Sequence, residues 1–206
     1  KDPKSGIQLI SVNGQDNMNI DYKNYDELWS AWEKLLKYYS DLAVECDSIC
    51  DRSLAKYDAS PFASCFIDNC MEVGKTLKNG GCKYDVISQS NIGPSGVGNS
   101  FAAVKKLIFE DKKLTFKELK AAMEADWKGD EAEKIHKLVK NVPKFGNDDD
   151  YVDYIVKDVF NSYLDLLPSY KTERTGKGPE LSCYTMSTSN ITSYVPNGLD
   201  VGATPD

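Results

Sequence analysis

Few side chains in this sequence stand where they could move protons, attack a substrate or hold a metal. His136 is the single histidine, and it falls on a short, mostly charged predicted helix. Neither a Ser-His-Asp triad nor a histidine-based metal centre has anything to be built around, and the pattern places the ring in solvent. Cys46 and Cys50 are one helical turn apart and Cys65 and Cys70 are five positions apart, so neither pair has the Cys-x-x-Cys spacing of a zinc or redox site. Four of the six cysteines fall inside helical patterns beside apolar neighbours, where a free thiol behaves as a small hydrophobe; reduced thiols in a cytoplasm are expected. Asp148, Asp149 and Asp150 sit where a helix begins, a place the helix dipole favours for carboxylates. A calcium or magnesium site is the alternative, but the ligand spacing of an EF-hand with its closing glutamate is missing. Carboxylate pairs abound, and nothing selects one as an acid-base couple.

The stretch that could meet a ligand runs from Gly80 to Ser100. Its first half alternates like a strand over about Lys83–Ser88. Its second half gathers Gly93, Pro94, Gly96 and Gly98 before a helix expected to open at Asn99 or Ser100. Glycine belongs where φ is positive or where another group approaches the main chain, so the loop reads as a contact surface, although the same residues suit an ordinary tight connection. The loop has no Gly-Lys-Ser/Thr ending and hence no P-loop lysine, and Gly96-x-Gly98 lacks the third glycine of a dinucleotide fingerprint.

Helices must position this stretch. Residues 1–23 read as irregular chain. From about Asn24 to Tyr57, Tyr25, Leu28, Trp29, Trp32, Leu35, Leu36, Tyr39, Leu42, Cys46 and Ile49 recur at three- and four-residue steps, which predicts one long helix with a core-facing aromatic stripe. Ser60-Pro61 opens a second helix, ended by Asn79-Gly80-Gly81. Further helices are expected after the glycine-rich loop, from the capping box Thr115–Glu118, over about Asp130 to Asn141, and from Tyr151 to Leu167, where Pro168 stops it. Leu181–Ser187 alternates as a second strand. Two strands cannot form a sheet that buries so many helices, so the expected class is α/β, as part of a larger layered structure.

Composition narrows the partners. With 206 residues, 41% of them hydrophobic, the chain can bury a sizeable core. Its 25 basic and 32 acidic residues leave a net charge of −7 and no basic stripe, which argues against nucleic acid and anionic membrane. No apolar run approaches the roughly 20 residues that span a bilayer, and the N-terminus lacks the apolar core of a signal peptide, so a cytoplasmic location is expected.

Three runs carry a resemblance. Gly80-Gly81-Cys82-Lys83-Tyr84, with Gly93 and Val97-Gly98-Asn99-Ser100-Phe101-Ala102-Ala103-Val104-Lys105-Lys106-Leu107, is the first. Pro143-Lys144-Phe145-Gly146-Asn147-Asp148-Asp149-Asp150-Tyr151-Val152-Asp153 is the second, and Val201-Gly202-Ala203-Thr204-Pro205-Asp206 the third. In this order they resemble the pyruvate formate-lyase-like glycyl radical enzymes, from about Ser60 to the last residue. Residues 1–60 match in general character only, as a lead-in and long helix, and 60–206 form the family-like part of one partial domain.

The resemblance implies a helix-rich fragment of a ten-stranded α/β barrel, with about two strands and six helices in this chain. It implies a segment of an anaerobic radical lyase of dehydratase, decarboxylase, or C–N or C–S lyase type, inactive alone; a non-catalytic stand-alone binding or structural module is the alternative. In the family a glycyl radical, installed by a radical-SAM iron–sulfur activating enzyme, takes hydrogen from a cysteine that activates a small-molecule substrate. The glycine lies in an Arg-Val-Ala-Gly-Tyr type run and the cysteine in a Gly-Cys-x-Glu type run. Neither run is present. No catalytic residue is therefore placed here, no cofactor or metal is expected on this chain, and Cys82 stands where relatives usually have alanine. The substrate-lining positions carried over are Ser90, Asn91, Ile92 and Gly93. Asn91 falls near the place where arylacetate decarboxylases bring a carboxylate, and its amide can donate and accept without changing charge. A homodimer of the full-length protein is implied as well.

Overall fold

The computed structural model describes residues 21–85, 88–91, 93–174, 176 and 180–183. These fall into two compact units. The first comprises residues 21–35 and 93–161, the second 36–85, 88–91, 162–174, 176 and 180–183.

Helix α1 (Tyr25–Tyr57) forms as expected, but its apolar stripe is covered only as far as Leu36: Tyr39, Leu42 and Ile49 are 44–56% exposed and Cys46 is exposed as well. Its start is fixed by Asn24, whose Oδ1 accepts the Glu27 N–H at 2.8 Å, an N-cap that satisfies a donor with no partner inside the helix. In the first unit Tyr25, Leu28, Trp29 and Trp32 pack against α4 (Pro94–Val104), the π-helical turn Lys105–Glu110, α5 (Phe116–Glu124), α6 (Asp130–Lys140) and α7 (Asp150–Leu164). Phe101 is the hub, with the rings of Tyr25, Trp29 and Trp32 at 6.1, 5.2 and 5.7 Å. Small residues let α4 come close to α7: a methyl added at Gly98 would overlap Val156 Cγ2, and Ala102 and Val152 are wholly buried. Burying a valine of this kind contributes roughly 1.5–3 kcal/mol. The capping box of α5 is present in full, Glu118 N–H to Thr115 Oγ1 at 3.2 Å and Thr115 N–H to Glu118 Oε2 at 2.8 Å. At α7 the Asp149 carboxylate accepts the Tyr151 N–H at 3.0 Å, so the acidic triplet caps a helix.

The second unit is built from short pieces: the rest of α1, α2 (Pro61–Ser64), α3 (Cys70–Val73), a 3-10 turn (Leu77–Asn79), β1 (Ser88–Asn91), a second 3-10 turn (Leu167–Ser169) and β2 (Glu180–Cys183). Strands β1 and β2 pair in parallel, Ser88 with Glu180 through Asn91 with Cys183.

Several expectations are corrected. The α/β class, a ten-stranded barrel fragment with about two strands and six helices, is overturned. The described residues form a helical structure with seven α-helical segments, and their one extended pairing is only four residues long on each side, neither barrel nor layered sheet. The strand expected over Lys83–Ser88 fails for a physical reason. Lys83 N–H donates to Asp68 O at 3.1 Å, Asp85 is held by Arg174, and Tyr84 is 84% exposed, so the alternation there does not follow a pleat over a core. Val86 and Ile87 lie outside the described residues, as do 184–187 of the second expected strand. The helix expected from Pro61 to Asn79 is broken by left-handed residues at Asn69 (φ 76°) and Gly74 (φ 63°). The loop expected between Gly93 and Ser100 is already helix from Pro94 onward.

Candidate functional site

Of the expected substrate-lining positions, Ser90 and Asn91 lie in β1, facing Ser182 and Cys183 across the parallel ladder. Ile92 lies outside the described residues. Gly93 belongs to the first unit, where it precedes Pro94 with φ 82° and open space around the position of a Cβ. Its glycine is required by the backbone angle rather than by crowding. Pro94 then fits the first helical position, where no N–H is needed.

The lead-in to β1 is held by charge. Arg174 donates through Nη1 to Asp85 Oδ1 at 2.6 Å and through Nε to Asp51 Oδ2 at 3.3 Å. All three side chains are less than one-fifth exposed, so the guanidinium is a largely desolvated cation between two carboxylates. The second oxygen of Asp85 is buried and has no hydrogen-bond partner among the described residues. Close by, Arg174 O lies 3.0 Å from where a Cβ on Gly80 (φ 72°) would be. At Gly81 a Cβ would overlap Lys75 O, so the Gly-Gly pair is dictated by the chain packed against it. Farther along α1, the Tyr170 hydroxyl donates to Asp41 Oδ1 at 2.7 Å, and burial together with this carboxylate pushes the phenol up to about 12. Asp41 is lowered from the usual carboxylate range by its bonds to Lys37 and Tyr170.

In the first unit the run around Pro143 is a fastening. Lys144 Nζ donates to Val139 O at 2.9 Å, Lys140 O at 3.2 Å and Val142 O, closing the carbonyl end of α6, and burial lowers its pKa. Phe145 N–H donates to Oδ1 of the buried Asn99 at 2.8 Å, which ties this loop to α4. Tyr151 donates to Glu110 Oε2 at 3.2 Å, and burial and Glu110 raise its pKa strongly. The helix expected to be capped at Asn99 or Ser100 already begins at Pro94, and the buried Asn99 carboxamide instead accepts a backbone donor 46 positions away in sequence. His136 is half-buried and stacks on Trp127, 4.7 Å between ring centroids, instead of standing in solvent. Its place between buried Ala132 and Val139 on one face of α6 was the signal for this. Among the described residues no group of three or more His, Cys, Asp or Glu side chains could hold a metal ion, and no helix is long and apolar enough to cross a membrane.

These features define two helical units, one carrying a short polar strand and the other a glycine-started helix. The chain belongs to the pyruvate formate lyase-like family, whose model matches residues 1–198. It is similar to the probable dehydratase YbiW of Escherichia coli, 37% identical over 90% of this chain and 23% of that protein. It is also similar to the trans-4-hydroxy-L-proline dehydratase of Clostridioides difficile, 32% identical over 100% of this chain and 25% of the relative. Among solved structures it resembles the glycerol-bound B12-independent glycerol dehydratase from Clostridium butyricum with a TM-score of 0.72 and 32% identity, covering 82% of this chain and 21% of that one. The chain thus spans about a quarter of the length of these curated relatives. The resemblance to glycyl radical dehydratases and lyases read from Gly80–Leu107 and Pro143–Asp153 holds.

Proposed function

We propose that this chain is a segment of a glycyl radical dehydratase acting on a small hydroxylated substrate, and that β1 and the residues after it contribute to the substrate pocket. The observation that supports this most is the match of the chain, along its whole length, to a hydroxyproline dehydratase. The sequence contains neither the radical glycine run nor the thiyl cysteine run of the family, so the abstraction of hydrogen and the loss of water belong to polypeptide outside these 206 residues. Within the segment, Arg174 and its two carboxylates hold the approach to β1, and β2 supplies its hydrogen-bonded neighbour. In β1, Ser90 is proposed to face the substrate together with Asn91. Asn91 serves as an uncharged donor and acceptor for a hydroxyl; Ile92 and Gly93 continue the lining. A cytoplasmic homodimer with its activating enzyme completes the proposal.

The test uses the full-length, activated protein supplied with glycerol or trans-4-hydroxy-L-proline. Asn91→Ala is expected to lower kcat/KM by roughly tenfold, about 1.4 kcal/mol, with a smaller effect from Ser90→Ala. Unchanged turnover and substrate preference in Asn91→Ala would refute the assignment. The 206 residues alone are expected to turn over neither compound, and product formation by them would refute the segment reading.

A further inference from the structure

Cys70 and Cys82 are twelve positions apart in sequence and are brought together by hydrogen bonds on both sides of them. Lys83 N–H donates to Asp68 O at 3.1 Å, and Asn69 Nδ2 donates to Gly81 O at 3.0 Å. Each bond joins a residue adjacent to, or two before, Cys70 with a neighbour of Cys82, so the two chains run side by side at the thiols. Gly81 makes the approach possible because any side chain there would strike Lys75 O. Cys70 is buried at 2% exposure and Cys82 is half-buried, and burial together with the neighbouring Cys82 pushes the Cys70 thiol pKa up. Cys82 Sγ also reaches Leu77 O at 3.8 Å, which orients it within the same turn.

We propose that Cys70 and Cys82 form an oxidisable dithiol that closes to an intramolecular disulfide when a peroxide reaches Cys82, fastening α3 to the chain that enters β1. The Cys82 thiolate attacks one peroxide oxygen, the O–O bond breaks, and with one proton the products are a Cys82 sulfenic acid and water. The Cys70 thiolate then attacks the Cys82 sulfur; the S–S bond forms, the S–O bond breaks and hydroxide leaves. Two sulfurs are oxidised by one electron pair in total, and the peroxide oxygens are reduced by the same pair. Cys82 is the entry point because it is the more exposed sulfur, and Cys70 is the resolving group because burial raises its thiol pKa and keeps it from reacting first.

The other close pair is an internal control. Cys46 and Cys50 are neighbours of another kind, one turn apart on α1 at i and i+4. Helical Cβ atoms at that spacing are about 5–6 Å apart, beyond the roughly 3.5–4.5 Å a disulfide requires, so closure there would distort the helix. Cys65 is exposed, with its thiol turned to Pro61 O at 3.4 Å.

The experiment treats the protein with hydrogen peroxide, blocks remaining thiols with N-ethylmaleimide and maps peptides without reduction. A peptide pair linked through Cys70 and Cys82 is expected to exceed any other cysteine pair by about tenfold and to disappear with dithiothreitol. A dominant Cys46–Cys50 or Cys65–Cys70 link, or Cys70 and Cys82 both recovered as maleimide adducts, would overturn the proposal. Phenylarsine oxide, which bridges two adjacent thiols, gives a second reading that needs no oxidation. Its uptake by native protein is expected to fall to the level of the remaining cysteines in Cys82→Ala, a variant at a half-buried position that leaves the buried Cys70 in place. Undiminished uptake in that variant would also overturn it.

Discussion

The two units are stabilised by different physics. In the first, the core is continuous and apolar, from Phe101, Ala102 and Leu107 through Val139 to Val152, Ile155, Val156 and Val159. In the second, the buried apolar side chains among the described residues are Val44, Cys70 and Leu167, and beside them lie buried Ser40, Ser64 and Thr172. Ser64 shows how such a unit is held: its hydroxyl donates to Ser60 O at 2.9 Å and accepts from Leu77 N–H at 3.0 Å. Arg174 does the same with charge. The second unit also leaves Tyr57, Phe62, Phe66 and Met71 at 69–79% exposure. Hydrophobic burial is non-directional and tolerant, whereas hydrogen bonds and ion pairs fix geometry at little net stability. The unit that carries β1 is therefore the more exactly positioned and the less stable of the two.

The sharpest way to break this contrast is to attack each region by its own means. Phe101→Ala removes the ring on which three α1 aromatics rest and is expected to destabilise the first unit by about 3–5 kcal/mol in urea unfolding. A loss below about 1 kcal/mol would show that the apolar core is not what holds it. Next in size is Arg174→Met, which leaves the largely desolvated Asp51 and Asp85 without their cation. A loss of about 2 kcal/mol is expected, below the value for a fully buried pair because solvent still reaches the group. Hydrogen exchange is expected to speed up at Ser88–Asn91 while Val152–Val159 stays protected. Acceleration confined to α7 would contradict the assignment of Arg174 to the frame of β1.

How much of this was legible in the sequence follows the same division. The extent of α1 and its first aromatic turns, the Thr115–Glu118 capping box and the buried face of α7 were readable because apolar period and capping chemistry are local and agree with the packing they enter. The stripe of α1 from Tyr39 to Ile49 was not, since Tyr39, Leu42 and Ile49 are 44–56% exposed. The second unit was misread where long-range contacts override local pattern. Tyr84 alternates as in a strand, but the Asp85–Arg174 pair and the Lys83–Asp68 hydrogen bond bend the chain there. Likewise a continuous helix from Pro61 to Asn79 is denied by the left-handed turn at Asn69, whose Nδ2 bonds Gly81 O. The glycines of the loop before Ser100 were read for ligand contact, yet Gly98 serves the close crossing of α4 over α7. The stretch Gly80–Ser100 stood out by its glycines, whereas Ser90 and Asn91 within it were proposed only through family likeness, because no pair of reactive side chains marks them.

The smallest effect separates the units by pH. Tyr25 belongs to the apolar unit, and burial, with Asp158 and Asp26 nearby, pushes its phenol from 10.0 up to about 12. The folded chain then holds this proton at a pH where the unfolded chain has released it. Below pH 10 both states are protonated and the group adds no pH dependence. From about 10 to about 12 the folded state binds more protons, so stability falls as pH rises. Screening at this half-buried ring keeps the loss near about 1 kcal/mol. Tyr25→Phe removes the titration while keeping the ring against Phe101, so the slope of stability against pH above 10 should flatten with little change at neutral pH. Tyr170 also rises to about 12, but its hydroxyl is bonded to Asp41, and Tyr170→Phe removes that bond along with the proton. It should therefore lose stability already at neutral pH, a difference between the two phenylalanine variants that alkaline and neutral urea titrations measure directly. Equal behaviour of the two would mean that the tyrosines are held alike, and the contrast between an apolar and a hydrogen-bonded unit would fail at these positions.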